Sequence, residues 1–213
     1  MAIKPILFNT EMVRAILDGR KSCTRRLVKT RRKDACGFYV ARKTDSSFAG
    51  IYEYDENESM FDNPLEPPYQ PGDIIYVRET YCGWYLPLVG IYYCYRATEP
   101  DGNKRPTSLE YDCDVEKIPW KPSIHMPKEA ARIWLKVTDV RVERLQEITS
   151  EQIYREGVEV EYPHSLNGEE KRYAFSVLWN SIIKKSDLDR YGWNANPWVW
   201  VIEFERCEKP RGV

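Results

Sequence analysis

Pro197-Trp198-Val199-Trp200-Val201-Ile202-Glu203-Phe204 reads as a strand that is apolar on both faces for most of its length. Side chains along a strand point alternately to its two faces, so such a run has to be covered on both sides. Pro197 suits the position before it, where no ladder N–H is needed. A central strand of a small β-barrel fits this pattern, and the neighbouring segments supply the rest of the sheet. Arg132 to Val142 alternates through Ile133, Leu135 and Val137, then shifts phase to Val140 and Val142, which predicts a bulge or bend at Thr138-Asp139. Pro71-Gly72-Asp73 is a turn launching a strand over Ile74 to Tyr81, and Ile91 to Ala97 is a tyrosine-rich strand. Lys4 to Phe8 is a short strand, and Phe38 to Ala41 with Gly50 to Tyr54 read as the arms of a hairpin or as an ordered excursion. Asp55 to Gln70 and Thr98 to Pro122 are polar, irregular and loop-like.

Helices are few. Thr10 to Asp18 carries Met12, Val13, Ile16 and Leu17 on one face, is capped by Asn9 or Thr10, and is stopped by Gly19. Thr149-Ser150-Glu151-Gln152 is a capping box opening a short helix that Gly157 stops. Glu169 to Lys184 is longer, with Ala174, Val177, Leu178, Ser181 and Ile182 on one side. The expected fold is mixed and β-rich: a small barrel with a few packed helices and long inserted loops.

The 213 residues hold 32 basic and 33 acidic side chains, which argues against bulk, histone-like nucleic-acid binding and leaves room for a local basic patch. Such a patch lies in Arg20 to Lys33, and acidic residues dominate Tyr52 to Glu66. Seven Trp and fifteen Tyr suit a β-rich core or a site that stacks planar ligands. Most of the tryptophans belong in the core; Trp84 and Trp120, in loop-like contexts, are the candidates for stacking on a base. Six cysteines form no CxxC pair and are expected as free thiols in a reducing cytoplasm. No long apolar span predicts a membrane segment. With two histidines, His125 and His164, no metal site and no cofactor are expected.

The chemistry concentrates in Gly19-Arg20-Lys21-Ser22-Cys23-Thr24-Arg25-Arg26. Lys21 and Thr24 are three residues apart beyond a helix end, a spacing that brings an amine and a hydroxyl to one side of a turn. Burial, or repulsion by Arg20, Arg25 and Arg26, would lower the lysine pKa toward the neutral form that can take a hydroxyl proton. The plain alternative is a solvated basic turn. Glu156 sits where the helix dipole disfavours a carboxylate by a few tenths of a kcal/mol to about 1. A cation holding it there is one explanation, with Lys21 a candidate; an exposed glutamate is the other. Arg78 and Glu79 alternate, so only one faces inward, and a buried one needs a partner. His125 is either a ligand-orienting group or a structural histidine.

These residues together resemble the ASCH family, a branch of the PUA-like β-barrels. Its signature of glycine, lysine, Glu or Thr, and arginine is met by Gly19, Lys21, Thr24 and Arg26. Pro71-Gly72-Asp73, Glu156-Gly157 and Val201-Ile202-Glu203-Phe204 match its later pieces, and long phage- or prophage-type members share Lys121 to Pro127 and Asn196 to Trp200. The resemblance implies one domain over 1–213 with insertions at about 31–70 and 98–125. It is similar at its motif to an N(4)-acetylcytidine amidohydrolase, which implies Lys21, Thr24 and Glu156 as catalytic residues and Gly19, Arg26, Arg78, Glu79 and His125 as substrate-binding ones. The implied partner is a nucleoside or RNA, not a membrane. The alternative is an RNA- or modified-nucleotide-binding module, a phage accessory protein with or without ribonuclease activity.

Overall fold

The computed structural model describes residues 1–44, 48–86, 90–99, 119–159 and 169–212. In chain order the described elements are β1 (Ile3–Leu7), α1 (Thr10–Leu17), β2 (Cys23–Leu27), β3 (Gly37–Arg42), β4 (Phe48–Tyr54), β5 (Ile74–Arg78), β6 (Tyr81–Leu86), β7 (Gly90–Tyr95), β8 (Trp134–Arg144), α2 (Ser150–Arg155), α3 (Glu169–Ile182), α4 (Leu188–Tyr191) and β9 (Trp198–Cys207). The fold is mixed and sheet-rich, as expected. Its main sheet has the order β1-β5-β8-β9-β2, and β3–β4 and β6–β7 are separate two-stranded ladders. Among the described residues this sheet is open, ending in β1 and β2, where a barrel would join its edges.

The chain divides into two compact units, Met1–Lys21 with Gly72–Lys136 and Glu205–Val213, and Ser22–Pro71 with Val137–Phe204. In the first, β1 runs parallel to β5, with Ile3 opposite Ile74 and Leu7 opposite Arg78. A parallel pair needs a crossover, and α1 lies in it. Asn9 caps α1 by accepting the Met12 N–H at 2.8 Å, and Val13, Ala15 and Ile16 are buried. Gly19 adopts φ +76°, the left-handed conformation that stops the helix. Asp73 accepts the Ala2 N–H at 2.7 Å and pairs with Lys4 at 3.1 Å, which ties the Pro71-Gly72-Asp73 turn to β1. Tyr76, Tyr81, Met126 and Trp134 form the core of this unit.

The expected strand over Ile74 to Tyr81 is interrupted. It ends at Arg78 and restarts as β6, which pairs with β7. Glu79 causes the break: its N–H meets the Met126 sulfur at 3.1 Å and its carboxylate is gripped by Arg132.

In the second unit β2 runs antiparallel to β9, placing Thr24 opposite Ile202 and Arg26 opposite Trp200. β3 and β4 form the expected hairpin, with an irregularity at Ala41/Arg42. Along β8 the phase shift falls at the expected place, with Thr138 and Asp139 both exposed between buried Val137 and Val142. Leu145, Ile153, Phe175, Trp179, Val199 and Val201 pack together; each such side chain contributes roughly 1.5–3 kcal/mol on burial. The expected apolar face of α3 is corrected here. Phe175 and Trp179 are buried, whereas Val177 and Ile182 are about half exposed. Two aromatics one turn apart bury more area than the aliphatic stripe does, and they set the rotation of the helix. Most of the loop expected over Thr98 to Pro122 lies outside the described residues, as does His164.

Candidate functional site

The glycine-led motif straddles the division of the chain. Lys21 is the last residue of its segment in the first unit, buried, with its N–H bonded to the Ala15 carbonyl and its ammonium 5.4 Å from the centre of the Phe8 ring. Thr24, Arg26 and Glu156 belong to the second unit.

There the end of α2 docks on the start of β2. The Ser22 N–H donates to the Arg155 carbonyl at 2.9 Å, and the Phe204 N–H donates to the Ser22 carbonyl at 2.9 Å. The Thr149/Gln152 capping box opens α2 as expected, Glu156 is its C-cap, and Gly157 follows at φ +85°. Strand alternation splits the motif. Cys23 and Arg25 face α2, where the Cys23 thiol lies 3.8 Å from the Gln152 carbonyl. Thr24 and Arg26 take the opposite face.

Arg25 is 2% exposed. It donates to Glu156 Oε1 at 3.2 Å, Glu143 Oε2 at 3.1 Å and Gln152 Oε1 at 3.0 Å. Of the two explanations left open for Glu156, the exposed one is ruled out: the carboxylate is buried at the helix C-terminus with a cation beside it, and Arg25 is one such cation. The Arg25 Nε is buried with no hydrogen-bond partner among the described residues. The network extends outward. Arg141 bridges Glu143 and Glu203, each at 2.6 Å, and Arg155 holds Glu203 at 2.6 Å and the Ser22 hydroxyl at 3.1 Å. Burial pushes the Glu203 pKa up, but the hydrogen bonds from Arg155 and Arg141 outweigh it and leave the carboxyl below its ordinary value.

On the other face, Arg26 opens into a hollow of about 470 Å³ that Lys29, Glu66, Tyr69 and Trp200 help to line. Volumes of roughly 300–1,000 Å³ are those of small-molecule sites. Burial lowers the Arg26 pKa, against the opposing pull of Tyr69 and Glu156. Burial raises that of the Tyr69 phenol, against Arg26. The hollow thus combines an under-hydrated guanidinium, a lysine and two aromatic walls. Such a surface attracts a planar group bearing negative charge.

The remaining expected site residues lie in the first unit. Glu79 is 1% exposed and accepts from Arg132 Nε and Nη2, each at 2.9 Å, so it is the inward member of the Arg78/Glu79 pair, and its half-buried partner reaches in to it. Arg132 also sits 4.0 Å from the Tyr95 ring centre. Burial is the main cause that pushes the Tyr95 phenol up to about 12. Arg78 donates to the Ile124 carbonyl at 3.3 Å and flanks Tyr76. His125 is exposed, and its carbonyl accepts the Tyr81 hydroxyl at 2.9 Å. Trp120 lies under Arg96; the Trp84 side chain lies outside the described residues. Cys23, Cys36, Cys82, Cys94 and Cys207 are free thiols, and Cys113 lies outside the described residues. Among the described residues, no three His, Cys, Asp or Glu side chains gather as a metal site, and no helix is long and apolar enough to cross a membrane.

Sequence reasoning singled out Arg26 but missed Arg25, Tyr69 and Trp200. Arg25 was visible as a cation in the motif, and alternation from Thr24 would have put it on the other face. Tyr69 sits in a segment read as a loop, and the pairing of Trp200 with Arg26 depends on a register no local pattern states.

A scan against protein-family models and a search of curated proteins find no match. Two solved structures are similar. The crystal structure of hypothetical protein PH0355 is 14% identical, covers 97% of this chain and 100% of its own, and has a TM-score of 0.36. The ASCH domain from Lactobacillus crispatus JV V101 is 12% identical, covers 96% of this chain and 79% of its own, and has a TM-score of 0.39.

Proposed function

We propose that the protein binds a nucleotide, with the hollow at Arg26 as the binding site. One observation carries this reading: Arg26, made under-hydrated by burial, shares a concavity with Lys29, Tyr69 and Trp200. The phosphate pairs with the guanidinium and the lysine, and the base lies against the aromatic walls. Calorimetric titration with a pyrimidine 5′-mononucleotide tests it. Arg26→Gln should weaken binding about tenfold, the loss of one charge-assisted contact. Equal affinity for wild type and variant would remove the site from Arg26.

A second reading adds catalysis: amide hydrolysis of an N-acylated base such as N(4)-acetylcytidine. What favours it is that Thr24 lies on the same face of β2 as Arg26, two residues and so about 7 Å along the strand. In this scheme the Thr24 oxygen attacks the acyl carbonyl, and its proton passes to the Lys21 amine. The C–N bond breaks as the base nitrogen takes that proton. Water then hydrolyses the threonyl ester, and acetate leaves. Acetate release from acetylated cytidine is the assay. Thr24→Val should abolish turnover while nucleotide binding persists, and Thr24→Ser should retain part of it. Full turnover by Thr24→Val would overturn the threonyl-ester scheme and leave direct attack by water.

A further inference from the structure

We infer that the ligand is a single-stranded nucleic acid, and that a second hollow beside the Arg26 site holds its next phosphate and sugar. The inference rests on the binding reading above and extends it from a nucleotide to a strand. This second hollow, of about 270 Å³, is lined by Thr30, Cys36, Arg144, Arg190, Tyr191 and Trp198 among others. It falls below the roughly 300–1,000 Å³ of a whole small-molecule site, which suits one sugar-phosphate unit better than a complete nucleotide.

Two features make it a continuation of the first hollow. Trp198 and Trp200 are two residues apart on β9 and therefore face the same side, about 7 Å from one another along the strand. A nucleic-acid strand advances about 3.4 Å per stacked nucleotide and further when unstacked, so neighbouring units span that distance. Past β2 the chain alternates between the two, with Lys29 and Arg31 lining the first hollow and Val28 and Thr30 the second.

The charges match a phosphodiester. No Asp or Glu lines the second hollow, and neither of its arginines forms an ion pair among the described residues. Arg144 stacks 4.2 Å from the Trp198 ring centre and donates to the Asn196 carbonyl at 3.1 Å. Arg190, exposed on α4, lies 5.1 Å from the Tyr191 ring centre and reaches the Thr30 hydroxyl at 3.4 Å. The nearest recorded carboxylate contact is that of Glu147, which accepts the Arg144 backbone N–H and caps the turn that follows β8. Both guanidinia are thus held in place by rings and neutral oxygens, with their charge left for a ligand.

Cys36, an exposed thiol on the rim, is a built-in reporter. The experiment follows iodoacetamide modification of Cys36 by peptide mapping, on the full chain, with a pyrimidine tetraribonucleotide or the 5′-mononucleotide present. The tetranucleotide should slow modification about fivefold and the mononucleotide should not, since only the strand reaches the second hollow. Arg190→Gln should weaken the tetranucleotide about fivefold and leave the mononucleotide unchanged. Full Cys36 reactivity in saturating tetranucleotide, together with no effect of Arg190→Gln, would overturn the inference. So would Cys36 protection by the mononucleotide, which would make the two hollows one site. If the tetranucleotide protects Cys36 while the mononucleotide fails to bind, the second hollow stands and the nucleotide site at Arg26 falls.

Discussion

The two units each set a guanidinium against a buried carboxylate, and they do so to different ends. Glu79 and Arg132 form a closed pair: two parallel bonds of 2.9 Å, a carboxylate 1% exposed, and Tyr95 covering the guanidinium. Arg25 instead divides itself among Glu156, Glu143 and Gln152, and its Nε has no hydrogen-bond partner among the described residues. The closed pair interrupts a strand and secures a corner of the fold. The divided one fixes a helix end to a strand whose opposite face carries Thr24 and Arg26. The two arginines thus differ in how completely their bonds are matched, and the proposed ligand hollow lies on the strand that carries the divided one.

That contrast is open to breakage. Removing the cation of the closed pair, by Arg132→Met, should destabilise the protein by about 3–5 kcal/mol in urea unfolding, because the Glu79 charge stays buried. Nucleotide affinity of the folded fraction should not change. Arg25→Met should lose less, about 2–3 kcal/mol, since Glu143 keeps Arg141 as a partner. Equal losses at the two positions would erase the distinction. At Arg26→Gln the reading to follow is binding, which should weaken about tenfold.

Acid sensitivity sharpens it further. The folded-state pKa of Glu203 lies below its ordinary 4.5 because Arg155 and Arg141 outweigh burial. Its contribution to stability is therefore complete above that ordinary value and is lost as pH falls through the folded-state value. Urea midpoints measured downward from pH 6 should decline less steeply in Glu203→Gln than in wild type. The α1 cap belongs to neither network: Asn9→Ala should cost about 0.5–2 kcal/mol through its loss, with no change in binding.

Local patterns made most of the fold legible. The caps at Asn9 and Thr149, the stops at Gly19 and Gly157, and the doubly buried run through Ile202 rest on interactions between near neighbours in the chain, and these are the features read correctly. Where long-range contacts decide, the reading slipped. Glu79 broke a strand because Arg132, 53 residues away, captured it. Phe175 and Trp179, not the aliphatic stripe, set the face of α3 because their partners come from other elements. The site followed the same rule. The motif pointed to Arg26 through its composition, whereas Tyr69 and Trp200 join it only through sheet register and a loop packed back on the sheet.

The account turns on what the hollow at Arg26 holds. A crystal structure of the protein with cytidine 5′-monophosphate tests it most directly. The account predicts the phosphate on Arg26 and Lys29 with the base against Tyr69 and Trp200. A nucleotide seated elsewhere, with this hollow empty, would contradict it.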